Sequence, residues 1–199
     1  TGSMNSDDIP NIISKYAKVS SAKAELKAVK DYWKNTLHTV YVNSPDESFN
    51  YMVNGWYLYQ AMSSRILARA GFYQVSGAFG YRDQLQDSMN IVLVKPEQAR
   101  RQILINAAHQ FEQGDVLHWW HEKNRFGLRS RYKDDYLWLV YATARYLDVT
   151  GDYSILDEKV PYVVGPELST YEHEKGMVFS YSDTKDTLLE HCLKSYNYP

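Results

Sequence analysis

The chain has 199 residues, 44% hydrophobic and 23% charged, with a net charge of -2, a globular composition long enough to bury a core as one domain. That balance gives no electrostatic case for nucleic-acid binding, and no apolar run approaches the ~20 residues needed to cross a bilayer. Aromatic residues stand out at 15%, with 18 Tyr and 5 Trp, a supply that suits sugar-stacking surfaces as well as core packing.

Thr1-Gly2-Ser3-Met4 reads as a tag scar ahead of a start codon and is set apart from the fold. Asn5 to Ser20 is polar apart from Ile9-Pro10-Asn11-Ile12-Ile13 and reads as an N-terminal arm or edge turn, which leaves 21–199 as the domain proper. Ser20 or Ser21 then caps a helix to about Leu37, with Leu26, Val29, Trp33 and Leu37 on one face. Tyr32-Trp33 belongs to the core or to a sugar platform, the core being the better account. His38 to Asn43 has strand-like composition, and Ser44-Pro45-Asp46 ends it. A long helix from Asp46 or Ser48 to Arg69 is apolar all round, as an inner helix would be. Arg65 and Arg69 lie at its C-terminal end, where the helix dipole favours cations, with phosphate or sugar binding near the Gly77 loop as the lesser reading.

The stretch Gln74-Val75-Ser76-Gly77-Ala78-Phe79-Gly80-Tyr81-Arg82-Asp83-Gln84-Leu85-Gln86-Asp87 organises the rest. Gly77 and Gly80 allow a sharp turn or a close backbone approach, and a helix then starts near Tyr81 with Leu85 and Met89 on its apolar face. Asp83 and Asp87 share one helix face, as do Arg82 and Gln86. Fork-like donors beside carboxylates suit vicinal hydroxyls, and a capped surface helix with ordinary ion pairs accounts for the same residues equally well.

Pro96 and Glu97 open a helix to about Glu112, stopped by Gly114. His118-Trp119-Trp120-His121 follows in what reads as a loop. His118 and His121 have the spacing of a ligand pair, but no further Cys or His completes a metal set. A sugar site is favoured there over a packed aromatic loop. Glu122 to Lys133 reads as a basic loop reaching Asp134, a helix cap beside Asp135, and the helix runs on to about Val149. Thr150-Gly151-Asp152 ends it. A short helix at Tyr153 to Leu156, an extended Val160 to Pro166, a hairpin strand at Lys175 to Tyr181 and a last helix started by Asp183, with Asp186 three residues on, complete the chain. Cys192, the only cysteine, cannot form an internal disulfide, which points to a reducing, cytoplasmic setting. It reads as a small buried residue rather than a nucleophile.

Seven segments carry a resemblance to one family: Tyr32-Trp33; Asn54 to Gln60; Gly80 to Asp87; Gly114 to His121; Asp134 to Leu139; Val160-Pro161-Tyr162; and Glu190-His191-Cys192. Together they resemble the glycoside hydrolase family 94 phosphorylases, nearest to the β-1,2-glucan phosphorylases and the phosphorylase-like region of cyclic β-1,2-glucan synthases. The resemblance implies a mainly α fold, about half of an (α/α)6 toroid with long functional loops and a small β-hairpin. It also implies an inverting phosphorolysis of β-glucan, probed through a non-reducing-end glucose held by Arg82 and Asp87. Asp83, Gln86, His118, Trp119, Trp120, His121, Asp134 and Asp135 would line the surroundings.

The family's general acid, an Asp in an Asp-Trp-Asn-Asp motif after the Glu-His-Cys helix, does not occur before Pro199, nor do its phosphate-binding His and Thr-Gly loop. The resemblance therefore implies the N-terminal part of a catalytic domain, inactive by itself. Inorganic phosphate would be the co-substrate, with no metal or organic cofactor, and the missing C-terminal half would be a partner. Open apolar faces would favour self-association. The chain itself would make no membrane contact, although a cyclic glucan synthase parent would be membrane-anchored. Two rival readings are a non-catalytic glycan-binding or assembly module and an inert structural fragment.

Overall fold

The computed structural model describes residues 5–69 and 77–198. Gln74, Val75 and Ser76 of the central stretch, like Thr1 to Met4, lie outside the described residues. The fold is mainly α, with two small antiparallel sheets set between the helices.

The first segment is helical. Asn5 accepts from Asp7 N–H to start a short 3-10 turn at Ser6–Asp8, and α1 (Ile9–Tyr16) follows with Pro10 in its first turn. A proline is tolerated there because the first-turn N–H groups have no partner within the helix. α2 (Val19–Leu37) packs against α1, with an ion pair from Lys15 to Glu25 at 2.9 Å. No residue of α1 is buried.

His38 to Asn43 is not a strand, for a reason that lies in the following helix. Asn54 Oδ1 accepts from Val42 N–H and its Nδ2 donates to Val42 O, both at 2.7 Å. Asn50 holds Ser44 in the same two-sided way at 2.8 Å. Two carboxamides one helical turn apart thus occupy the backbone groups that a neighbouring strand would have used.

The helix carrying them is one rod with two windings. α3 (Glu47–Tyr51), capped by Asp46, passes through a π-helical turn at Met52–Trp56, α4 (Tyr57–Gln60) and a second π-helical stretch at Ala61–Leu67. Its C-terminal end packs on α5 (Tyr81–Ile91).

α6 (Pro96–Ala107) stops before the expected Glu112. His109 Nδ1–H donates back to Ile105 O at 2.7 Å, and the chain turns so that Gln110 pairs with Val116. The four-stranded sheet has the order β1-β2-β3-β5, from β1 (Phe79–Gly80), β2 (Leu117–His121), β3 (Phe126–Ser130) and β5 (Glu174–Val178). The His118 to His121 stretch is therefore a central strand, and the basic stretch from Glu122 contains its hairpin partner. Arg129 explains why that basic segment enters the fold. Its guanidinium is buried in a bidentate pair with Asp115 at 2.6 and 2.7 Å and stacks 3.7 Å from the Phe111 ring centre.

α7 (Leu137–Thr150) ends at Gly151, whose φ of 66° lies in the left-handed region that glycine occupies without strain. A 3-10 turn at Tyr153–Asp157 leads to β4 (Lys159–Val164), which pairs with β6 (Ser180–Thr187). Asp183 and Asp186 are strand residues, and Thr187 accepts from Glu190 N–H to cap α8 (Leu188–Asn197). One core joins the layers. Leu85, Ile91, Ile103, Phe111, Leu117, Trp120, Leu139, Ile155 and Leu188 all lie within it, each at most 1% exposed.

Candidate functional site

The start of α5 is built by three hydrogen bonds from two side chains, Gln84 and Asn106. Gly80 N–H donates to Gln84 Oε1 inside the first turn, and Gln84 Nε2 reaches Arg65 O at 3.3 Å. Asn106, buried on α6, donates to Tyr81 O at 2.8 Å. These bonds tie the C-terminal ends of the long helix and of α6 to one helix mouth. A Cβ at Gly80 would meet the Asp83 carboxylate and make it swing away.

Four charged groups project from that mouth. Arg65 Nε donates to Asp87 at 2.9 Å, and its Nη2 lies 3.6 Å from Asp83. Arg82, whose side chain is 51% exposed, donates to Asp134 at 3.1 Å. Burial raises the Asp87 pKa, and the Arg65 charge and hydrogen bond oppose it. Burial would also raise Asp134, but hydrogen bonds from Arg82, its own backbone and Trp138 prevail and hold it low. Asp134 does not cap α7, because its carboxylate is engaged by Arg82 and the helix cap position is Tyr136.

His118 joins this group from β2. Its Nδ1–H donates to Asp135 at 2.6 Å, and that hydrogen bond, against the effect of burial, raises the imidazole pKa. The Arg82–Asp134 and His118–Asp135 bonds, made at adjacent residues, bring α5's mouth beside the imidazole, whose pKa the Asp83 charge raises and the Arg82 charge lowers. Tyr132 packs on its ring at 4.6 Å between centroids. The strand register explains the placement: Leu117 pairs with Arg129 and Trp119 with Leu128, so His118 is the extra residue of a β-bulge. A bulge re-aims a side chain that the pleat would otherwise point elsewhere.

Of the residues singled out by sequence, Arg82, Asp83, Asp87, His118 and Asp134 are brought together. Two others are displaced from any sugar surface. Trp120 is 0% exposed, sandwiched by His109 at 3.9 Å and Phe79 at 5.1 Å, so it is a core residue. Asp135, at 2% exposure, meets His118 rather than solvent. Trp119 and His121 are half-buried on one face of β2, 5.7 Å apart beside Phe126, while Gln86 is exposed on α5. Arg65 and Gln84 form part of the site although local spacing pairs them with nothing in it. Arg69 turns to Gly77 O at 3.0 Å and the Phe79 ring. Among the described residues no group of three His, Cys, Asp or Glu is arranged to hold a metal ion.

A mainly α scaffold thus brings arginines, carboxylates and an imidazole together at one helix mouth. The family model of the glycosyl hydrolase 94 superfamily catalytic domain matches residues 32–198, and the chain belongs to that family, whose catalytic domain is an (α/α)6 barrel. It is 41% identical to the cyclic β-(1,2)-glucan synthase NdvB of Rhizobium meliloti (strain 1021), over 98% of this chain and 7% of that protein. It is 30% identical to the N,N'-diacetylchitobiose phosphorylase of Vibrio proteolyticus, over 81% of this chain and 24% of the relative. The 1,2-β-oligoglucan phosphorylase of Listeria innocua is 28% identical over 83% of this chain and 15% of its own length. The chain thus spans less than a quarter of the length of these curated relatives.

Proposed function

We propose that this chain is the sugar-gripping part of a catalytic domain that cleaves or forms β-1,2-glucosidic bonds in a β-glucan by inverting phosphorolysis. The observation that carries the reading is the cluster at the mouth of α5, where Arg82, Asp83 and Asp87 stand beside His118 and Asp134. Paired donors and acceptors at fixed spacing match the vicinal hydroxyls of a glucose ring. The β-1,2 linkage is supported by the names of two relatives, the glucan synthase and the oligoglucan phosphorylase.

In this reaction an acid protonates the glycosidic oxygen while phosphate attacks the anomeric carbon from the opposite face. Phosphate takes the place of the water of inverting hydrolysis, so no carboxylate base is needed. The acid and the phosphate site are assigned to the remainder of the domain. Among the described residues no helix is long and apolar enough to cross a membrane.

Two measurements test the reading. Phosphate-dependent release of glucose 1-phosphate from β-1,2-linked oligomers is expected to be absent from the chain alone and to appear when the rest of the catalytic domain is supplied. Release by the chain alone would place an acid among Asp87 and Asp134 and overturn the division of roles. In calorimetric titration, β-1,2-linked oligomers should bind in preference to β-1,4-linked ones. Arg82→Ala and Asp87→Ala should each weaken that binding by about ten-fold or more, the scale of one lost charged hydrogen bond. Unchanged affinity in both variants would remove the site from α5.

A further inference from the structure

We infer that Asp135 is a positioning residue which holds His118 as a proton-bearing hydrogen-bond donor to the sugar, so that carbohydrate affinity depends on the His118 protonation state. The inference rests on the proposed sugar site and adds to it a division of labour between two neighbouring residues and a pH switch.

The geometry carries it. Asp135's side chain is 3% exposed and bonds the Nδ1 edge of His118, whereas the imidazole is 36% exposed. A carboxylate can only accept, so Nδ1 must carry the hydrogen. The opposite edge, Nε2, has no hydrogen-bond partner among the described residues. It is an acceptor when the ring is neutral and a charged donor when the ring is protonated. His118 is also the bulged residue of β2, which frees its side chain from the pleat and turns it to Asp135.

The neighbours show what His118 adds. The charges of Asp83 and Arg82 act on the ring from α5, Asp135 bonds it from the turn before α7, where the adjacent Asp134 holds Arg82, and the Tyr132 ring packs on it from beyond β3. Each arginine at the mouth is already matched to a carboxylate, Arg82 to Asp134 and Arg65 to Asp87 and Asp83. The carboxylates accept hydroxyl protons and Arg82 keeps N–H groups beyond its bond to Asp134, so on the β2 side of the mouth the Nε2–H of protonated His118 is the donor a sugar oxygen meets. The Asp135 hydrogen bond raises the imidazole pKa, so the ring keeps that donor to higher pH than an unpaired histidine would.

The test combines nitrogen-detected NMR titration of the histidine rings with calorimetric titration of a β-1,2-linked glucose trisaccharide from pH 5.5 to 8.5. The free protein is expected to show His118 protonated at Nδ1 at high pH. Asp135→Asn, which can still accept from Nδ1–H but carries no charge, should lower the His118 pKa. Affinity should fall about ten-fold as pH rises through the His118 titration, the difference between a charged and a neutral hydrogen bond. Saturating trisaccharide should raise the His118 pKa correspondingly. His118→Gln, a neutral donor at every pH, should bind more weakly than the wild type at low pH and lose the pH dependence.

A wild-type protein that binds with no pH dependence, or a His118→Gln variant with the wild-type profile, would overturn this inference and leave the sugar site standing. No binding at any pH would overturn the sugar-site reading and this inference with it.

Discussion

His191 and His118 are two histidines pushed in opposite directions by their surroundings. Burial holds the His191 imidazole down to about 4, with Nε2–H donating to Val160 O at 3.0 Å and the ring stacked 4.1 Å from Tyr162. An unfolded histidine titrates near 6.5, so between about 4 and 6.5 the unfolded chain binds more protons than the folded one. Stability contributed by His191 is therefore present above about 6.5 and is lost as pH falls towards 4. His118, raised by Asp135, has the opposite sign: its contribution is present below about 6.5 and is lost as pH rises through its folded value. Urea unfolding across this range should show a decline on the acid side that flattens in His191→Gln. An unchanged acid slope in that variant would mean that other groups set it. Cys192 is buried with its thiol pushed up to about 11 by desolvation, 3.7 Å from the Thr143 hydroxyl, which suits the packing role expected of it.

The elements are joined by side chains that do the work of backbone pairing. Asn50 and Asn54 bind the extended stretch before their own helix, Gln84 and Asn106 join three helices at one mouth, and Gln110 reaches His191 O and Ser195 Oγ on α8. The Arg129–Asp115 pair does the same between β3 and the turn before β2. Its two side chains are 3% and 7% exposed, so removing one leaves a buried charge unmatched. Arg129→Ala should cost about 3–5 kcal/mol in chemical denaturation. Replacing both residues with apolar ones of similar volume should cost much less, because the penalty comes from the orphaned partner. A single variant as stable as the wild type would show that water reaches the pair.

At the scale of the molecule, the packed part and the open part are distinct. The core gathers residues of α5, α6, α7, α8 and both sheets, while α1 and α2 leave Ile13 at 62%, Val19 at 73% and Leu26 at 56% exposure. Tyr51, Trp56 and Tyr57 are likewise open at 75%, 44% and 59% on the long helix. Apolar surface of this extent favours association with another surface. We expect concentration-dependent self-association of the isolated chain, read as a rising sedimentation coefficient. A sedimentation coefficient that stays monomeric over a wide concentration range would refute it.

Local signals carried the helices well, because apolar periodicity, Pro96 at a helix start and Gly151 at a helix end act within a few residues. The motif from Gly80 to Asp87 likewise announced a helix mouth rich in charge, and its likeness to a known family supplied the barrel architecture. The strands were harder to read. His118 to His121 and the basic segment after it lack clean alternation because a bulge interrupts one and a buried arginine sits in the other. Asp134 had the composition and position of a cap, and its carboxylate went to Arg82, 52 residues away in sequence. Arg65's place against Asp87 and Trp120's burial between His109 and Phe79 follow from contacts between distant segments. A residue's type states which bonds it can make, whereas the packing of elements decides which partner arrives. Only the tertiary structure could therefore separate Asp134, out at the surface with Arg82, from its neighbour Asp135, buried beneath His118.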